Sequence, residues 1–278
     1  YSQLEVPLGS RAPELESTEA KRARKSAAAS RLQQSIVTRL YRAGTGLEKK
    51  MTGDLESAFR ELGDRAGDAI LELSDELDAL AAETAKVGKD QETHLKLAEL
   101  KGREEDLAEK AMRSIDVGEW EEGSLKRIYT AHYEATASST SAIVSSSLEI
   151  ATQLPDHVMQ SIITQGGTRK GLVDVAAETR EVLIRGVAEG TSEGRGAIDI
   201  ARSIRADTPA GRFVNAGPKY RAELIARAET KHAQNVSTLA TYGESDHITG
   251  VLAFDARIND VHDEECLARD GQTYSLEA

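Results

Sequence analysis

The sequence predicts a mainly α-helical protein, with a long helical N-terminal region followed by a small α+β module that has a short sheet near the C-terminus. Three observations favour this fold class. Of the 278 residues, 4% are aromatic, 39% are hydrophobic and five are proline, which is typical of long helices and unlike a β-sandwich or barrel. A heptad-like apolar pattern covers residues 55–87, and strand-like runs begin only after residue 245.

The chain is predicted to have three parts. Residues 1–17 contain Pro7, Gly9 and Pro13 without a clear period, which indicates an extended arm that needs a partner to become ordered. Residues 18–167 form a helical region with a basic start and an acidic body. Residues 168–278 form the α+β domain.

The charge of the chain is unevenly distributed. The net charge is −12, yet residues 21–50 hold nine basic residues and a single acid, Glu48. Residues 54–122 instead hold 21 acids and nine bases. The basic start predicts contact with nucleic acid phosphates or with an acidic protein surface, through Lys21, Arg22, Arg24, Lys25 and Arg31.

Composition also excludes several classes of protein and site. No apolar run approaches the roughly 18 residues of a membrane span, so we expect no membrane contact. Cys266 is the single cysteine, which excludes an internal disulfide framework and any zinc site built from several cysteines of this chain.

The first predicted helix begins near Ser17 and places Leu32, Ile36, Val37 and Leu40 on one face. Gly44 and Gly46 are predicted to break it.

An apolar seam follows the first helix. Its spacing resembles a heptad repeat, which predicts a helix whose seam is covered by another helix of this chain or by a neighbouring subunit. We assign this seam to contact with a partner helix, through Leu55, Phe59, Leu62, Ile70, Leu73, Leu77 and Leu80.

A further helix is predicted at 91–113 and is followed by a corner at 116–123. The next helix is predicted from Ser124, its N-cap, to Leu154, and later helices are predicted at 172–190, 197–205 and 218–242. Pro155 is a stop, and Gln165 to Gly167 is the predicted domain boundary. The strand-like segments are 247–258 and 273–276.

No motif predicts catalysis or metal binding. His262, Asp263, Glu264, Glu265 and Cys266 are adjacent, but neighbouring residues rarely all face one ion, so an acidic turn is expected. The glycine-rich segment 190–196 follows a helix and lacks the Lys-Ser/Thr ending of a phosphate loop. We therefore expect no cofactor, no metal and no enzymatic activity.

Two segments carry a family resemblance. Residues 218–242 read PKYRAELIARAETKHAQNVSTLATY, and residues 250–276 read GVLAFDARINDVHDEECLARDGQTYSL. Together with a helical lead-in from residue 168, they resemble the phage Mu protein F-like minor head proteins, or phage head morphogenesis family. The matching signature residues, which we interpret as structural, are Arg221, Arg227, Glu229, Thr230, Cys266, Asp270 and Gly271.

The resemblance implies that Arg227 and Glu229 tie their helix to the strand layer. It also implies a minor capsid protein of a tailed phage, located inside the head near the portal vertex and assembled in the host cytoplasm. Its partners would be the portal protein and other copies of itself, with packaged DNA and the major capsid or scaffold protein as further partners. The alternatives are a portal protein or portal-fused module, and an internal virion protein ejected with the DNA.

Overall fold

In the computed structural model, the described residues are 18–87, 93–149, 154–168, 174–211, 216–246, 248, 250–252 and 273–275. Helices dominate this part of the chain. They are α1 (Thr18–Glu72), α2 (Ser74–Thr84), α3 (Thr93–Ile115), α4 (Val117–Trp120), α5 (Lys126–Leu148), α6 (Asp156–Ile163), α7 (Val175–Ser192), α8 (Ala197–Asp207) and α9 (Gly217–Gly243). Two short strands follow, β1 (Gly250–Leu252) and β2 (Thr273–Ser275).

The mainly α prediction fits this architecture, but the predicted C-terminal α+β module is wrong. In the described part of 168–278, the helices α7, α8 and α9 supply the buried core residues. The strands β1 and β2 have three residues each and pair antiparallel with one another. A lone pair of such short strands is no sheet layer, because a stable sheet needs more strands or a packed apolar face.

Helix α1 is continuous for 55 residues, so the predicted break at Gly44 and Gly46 is wrong. Each glycine costs about 1 kcal/mol of helix propensity, but tertiary packing outweighs that cost. At Gly44 the missing side chain makes room for α9, since a Cβ there would lie 2.6 Å from Gln234 Nε2. That same nitrogen donates a hydrogen bond of 2.8 Å to the Leu40 carbonyl.

Helices α5 and α9 both run antiparallel to α1. Arg39 of α1 donates to the Ser147 hydroxyl at 2.7 Å, whereas a cleft at the other end of α5 is lined by Ser57 and Ser124. On α9, Arg227 lies near Glu48 and the later residue Gln234 lies near Leu40. The three helices therefore form a bundle with α1 as its shared member.

The apolar seam lies in the core of this chain. Its members have 0% exposure apart from Leu73, which is partly buried where α1 ends and α2 begins. They pack in one cluster with residues of α3, α5, α7, α8 and α9. The seam was predicted to be covered either by helices of this chain or by a neighbouring subunit, and the structure shows helices of this chain. These side chains are therefore not available to a portal protein.

The corner between α3 and α5 is built differently from the prediction. Asp116 adopts a left-handed conformation (φ 48°), and its carboxylate accepts a hydrogen bond from the Glu119 backbone. A π turn at Glu121–Leu125 then leads directly into α5, so Ser124 does not cap a helix start. The turn buries Trp120 against Phe59, with ring centroids 6.0 Å apart.

We predict that Gly63→Ala destabilises the protein by about 1–3 kcal/mol, because overpacking a tight contact forces backbone shifts. A Cβ at Gly63 would lie 2.7 Å from the Arg205 carbonyl oxygen and 2.7 Å from Pro209. The measurement is the free energy of unfolding in urea.

The control is Gly53→Ala in the same helix, where a new Cβ meets nothing within 4 Å. That variant should be stabilised by up to about 1 kcal/mol through helix propensity. Equal stabilisation of both variants would contradict the close approach of α8 to α1.

Candidate interaction surface

The predicted basic residues lie on α1. The structure describes the backbone at Lys21, Arg22, Arg24 and Lys25 as helix, and it describes Arg31 as exposed. Further along the same helix, four more basic side chains are exposed: Arg39, Arg42, Lys49 and Lys50.

These basic positions share one side of α1. At about 100° per residue, all of them except Arg22 fall within a sector of about 120°, which lies opposite the buried seam residues Leu55, Phe59 and Leu62 of the same helix. We call this set the basic sector: positions 21, 24, 25, 31, 39, 42, 49 and 50. It extends over about 44 Å at 1.5 Å per residue. Between residues 21 and 50 the sector contains no acid, and its other positions are Ala28, Leu32, Ser35, Ala43 and Gly46.

The exposed cations of the basic sector differ from most other cations of the protein. None of its five described side chains forms an ion pair with a described residue. Beyond residue 54, cations such as Arg60, Arg103 and Lys110 are paired with carboxylates at 2.5–2.6 Å. The positive charge of the sector is therefore not compensated within the described chain.

Arg221 is the centre of a buried ion pair. Its guanidinium is 1% exposed and contacts the Glu178 carboxylate of α7 at 2.5 Å. The Arg221 Cζ also lies 4.2 Å from the centroid of the Phe59 ring on α1, a cation–π arrangement. This one side chain therefore joins α9 to α7 and α1.

Glu229 connects α9 to α5, not to a strand layer. It is fully buried, and its carboxylate accepts a hydrogen bond of 2.5 Å from the Tyr133 hydroxyl and a longer one from the Gly167 backbone. Arg227 is 64% exposed and lies 3.3 Å from Glu48 of α1. The expectation that these two residues tie the helix to strands is therefore wrong, because the layer beside α9 is helical.

Thr230 holds a buried histidine in one tautomer. Its hydroxyl donates to the Ala226 carbonyl at 2.7 Å and lies 3.0 Å from His132 Nε2. Since the single hydroxyl proton is used for Ala226, the His132 Nε2–H donates to Thr230. His132 is neutral in this arrangement, and burial, followed by the nearby charge of Lys50, lowers its pKa to about 4.

Tyr129 belongs to the same interior. Burial and the neighbouring Glu229 carboxylate raise the pKa of its phenol well above the usual range, with Arg221 opposing the rise. The phenol therefore stays protonated at ordinary pH. The Tyr129 hydroxyl has no hydrogen-bond partner among the described residues, whereas Tyr133 is hydrogen-bonded to Glu229 and His132 to Thr230.

The described residues contain no group of three or more His, Cys, Asp or Glu side chains placed to hold a metal. Cys266, Asp270 and Gly271 lie outside the described residues, as does the acidic turn at 262–266. A surface depression between α2 and α3 is lined by Glu76, Arg103 and Lys110, and these charges are taken up by ion pairs.

Sequence reasoning missed Glu178, Tyr133 and His132. A signal for Glu178 was present, because it falls at the core-facing spacing of α7 between Val175 and Val182. A carboxylate at such a position predicts a buried cation as its partner. Nothing in the sequence indicated that this cation was Arg221, 43 residues later.

We predict that Glu178→Gln destabilises the protein by about 3–5 kcal/mol, because it leaves the buried Arg221 charge without its carboxylate. The control is Asp199→Asn, which removes an ion pair to Arg202 whose side chains are 54% and 73% exposed. That change should cost about 0–1 kcal/mol. Both are measured by urea unfolding, and equal small losses would show that the Arg221 pair is not needed.

We predict that His132 makes the free energy of unfolding fall as the pH drops from 6.5 to 4, and that this contribution is absent in His132→Gln. The folded pKa of His132 is depressed from 6.5 to about 4, so the unfolded chain binds the proton first as pH falls. Its contribution to stability is complete above pH 6.5 and is lost between pH 6.5 and 4, amounting to about 3 kcal/mol. The difference in unfolding free energy between wild type and variant, followed from pH 7 to 4, isolates this contribution, and parallel curves would contradict it.

No helix in the described residues is long and apolar enough to cross a membrane. Comparisons of the chain with protein-family models, with curated proteins and with solved structures give no match. The resemblance of residues 168–278 to the phage head morphogenesis family therefore stays a prediction from its motifs.

Proposed function

We propose that the protein is a minor capsid protein of a tailed phage, which binds the portal and the interior of the head and assists capsid assembly and DNA packaging or delivery. The phage setting is supported by the resemblance in residues 168–278. The buried, structural position of Arg221, Glu229 and Thr230 agrees with the role expected for signature residues of that resemblance.

The observation that carries the proposal is a pair of exposed apolar side chains, Val37 and Tyr41, in the N-terminal part of the 55-residue helix α1. At about 100° per residue they lie on the same side of the helix as the buried seam residues Leu55 and Phe59, yet they are 57% and 64% exposed. An apolar helix face that stays exposed is a candidate surface for a protein contact. We assign portal docking to this part of α1, in place of the seam.

The test is to locate the chain in purified phage particles by cryo-electron microscopy and to count its copies by quantitative mass spectrometry, before and after DNA ejection. We expect few copies beside the portal ring, retained in emptied heads. Loss together with the DNA would overturn the proposal in favour of an ejected internal protein. Recovery of the chain only as a free monomer outside particles would overturn it altogether.

Docking through α1 is tested with a pair of variants. Val37→Ser with Tyr41→Ser should lower the number of copies per particle severalfold, because it removes the apolar contact. The control is Ile198→Ser on α8, which changes a side chain that is 68% exposed and should leave the copy number unchanged. Equal incorporation of both variants would place portal docking elsewhere.

A further inference from the structure

We propose that the basic sector of α1 binds the phosphate backbone of duplex DNA without sequence preference. This inference deepens the proposed function and rests on it for its biological setting. Its evidence is separate, and consists of the geometry and charge of α1.

The continuity of α1 is the first step. A break at Gly44 would have separated the cations at 21–42 from Lys49 and Lys50 by a change of direction. Because the helix is unbroken, eight basic positions share one side over about 44 Å. Duplex DNA carries a phosphate charge about every 1.7 Å of its axis, so a duplex segment of that length offers more than enough phosphates to face them.

The chemistry of the sector favours phosphates over a protein partner. A stable protein interface has an apolar or aromatic centre that excludes water. Between its cations, the sector holds alanine, serine, glycine and the single large apolar residue Leu32. Phosphate contacts need no such centre, because exposed lysine and arginine side chains make them by displacing condensed counterions.

The same composition favours duplex over single-stranded nucleic acid. Sequence-tolerant binding of single strands uses aromatic side chains as stacking platforms. No aromatic residue occurs in the basic sector. Binding to the phosphates of a duplex requires exposed cations and no stacking side chains.

The acidic part of the protein lies toward the other end of α1. The Ser114 hydroxyl of α3 donates to Glu72 at 2.9 Å, which places the end of α3 beside the end of α1. The first acid after Lys50 that lies within the same sector of α1 is Glu61, 11 residues or about 16 Å further along the helix, and it is paired with Arg65. At physiological salt the screening length is about 8 Å, so repulsion between the acidic end and a bound duplex is weak.

The test measures binding of the full-length protein to fluorescent 24-base-pair duplexes of two unrelated sequences as a function of salt concentration. Both sequences should bind with equal affinity. The logarithm of the affinity should fall with the logarithm of salt concentration with a slope of about −7 if all eight cations contact phosphates.

Two charge-matched variants decide where binding occurs. The sector variant changes four cations of the basic sector to glutamine: Arg31, Arg42, Lys49 and Lys50. The control changes four other exposed cations to glutamine, none of which forms an ion pair with a described residue: Lys96, Lys101, Arg113 and Arg127. The sector variant should lose at least about tenfold in affinity at 0.1 M salt, and its slope should become shallower by roughly three to four. The control should keep most of the wild-type affinity and slope.

Each other outcome overturns the inference. Absence of duplex binding at low salt, or equal losses in the two variants, would show that the sector is not a duplex site. If the sector variant instead loses binding only to an acidic protein such as the purified portal, the partner is protein. A failure here leaves the particle experiment untouched, since that experiment locates the chain without regard to DNA binding.

Discussion

Coverage of one side of α1 is the constraint on which the rest of the structure depends. An isolated helix is marginal in water even when its sequence is favourable, and α1 contains several glycines. It is held because Leu55, Phe59 and Leu62 are completely buried by the helices around it. The antiparallel helices α5 and α9, and α8 at its close approach to Gly63, contribute to that coverage.

The polar interior adds specificity to this apolar contact. Arg221 can satisfy its charge only where Glu178 and the Phe59 face are both present. Glu229 requires the Tyr133 hydroxyl in the same way. Because buried charges without partners are costly, α9 has few alternative positions relative to α1, α5 and α7. The positions of the helices are thus set by the fit of the apolar side chains and also by the pairing of buried charged groups.

Most helices could be predicted from the sequence, because apolar spacing, the stop at Pro155 and the helix start at Pro218 are local signals. The continuity of α1 could not, since it depends on the Gly44 contact with Gln234, almost 200 residues later. The predicted sheet was wrong because strand propensity is a weak guide unless a layer exists for the strands to pack on. For the candidate site, the cations were visible in the sequence, whereas their alignment needed the unbroken helix.

Because α1 is unbroken, an insertion within it changes the alignment of its basic residues. The rotation about the helix axis from Arg31 to Lys49 is fixed by the number of residues between them. One inserted residue would swing one group about 100° away from the other, whereas seven inserted residues would restore the phase to within about 20°. We therefore expect insertions in this helix to keep the basic sector aligned when they add seven residues and to divide it when they add one.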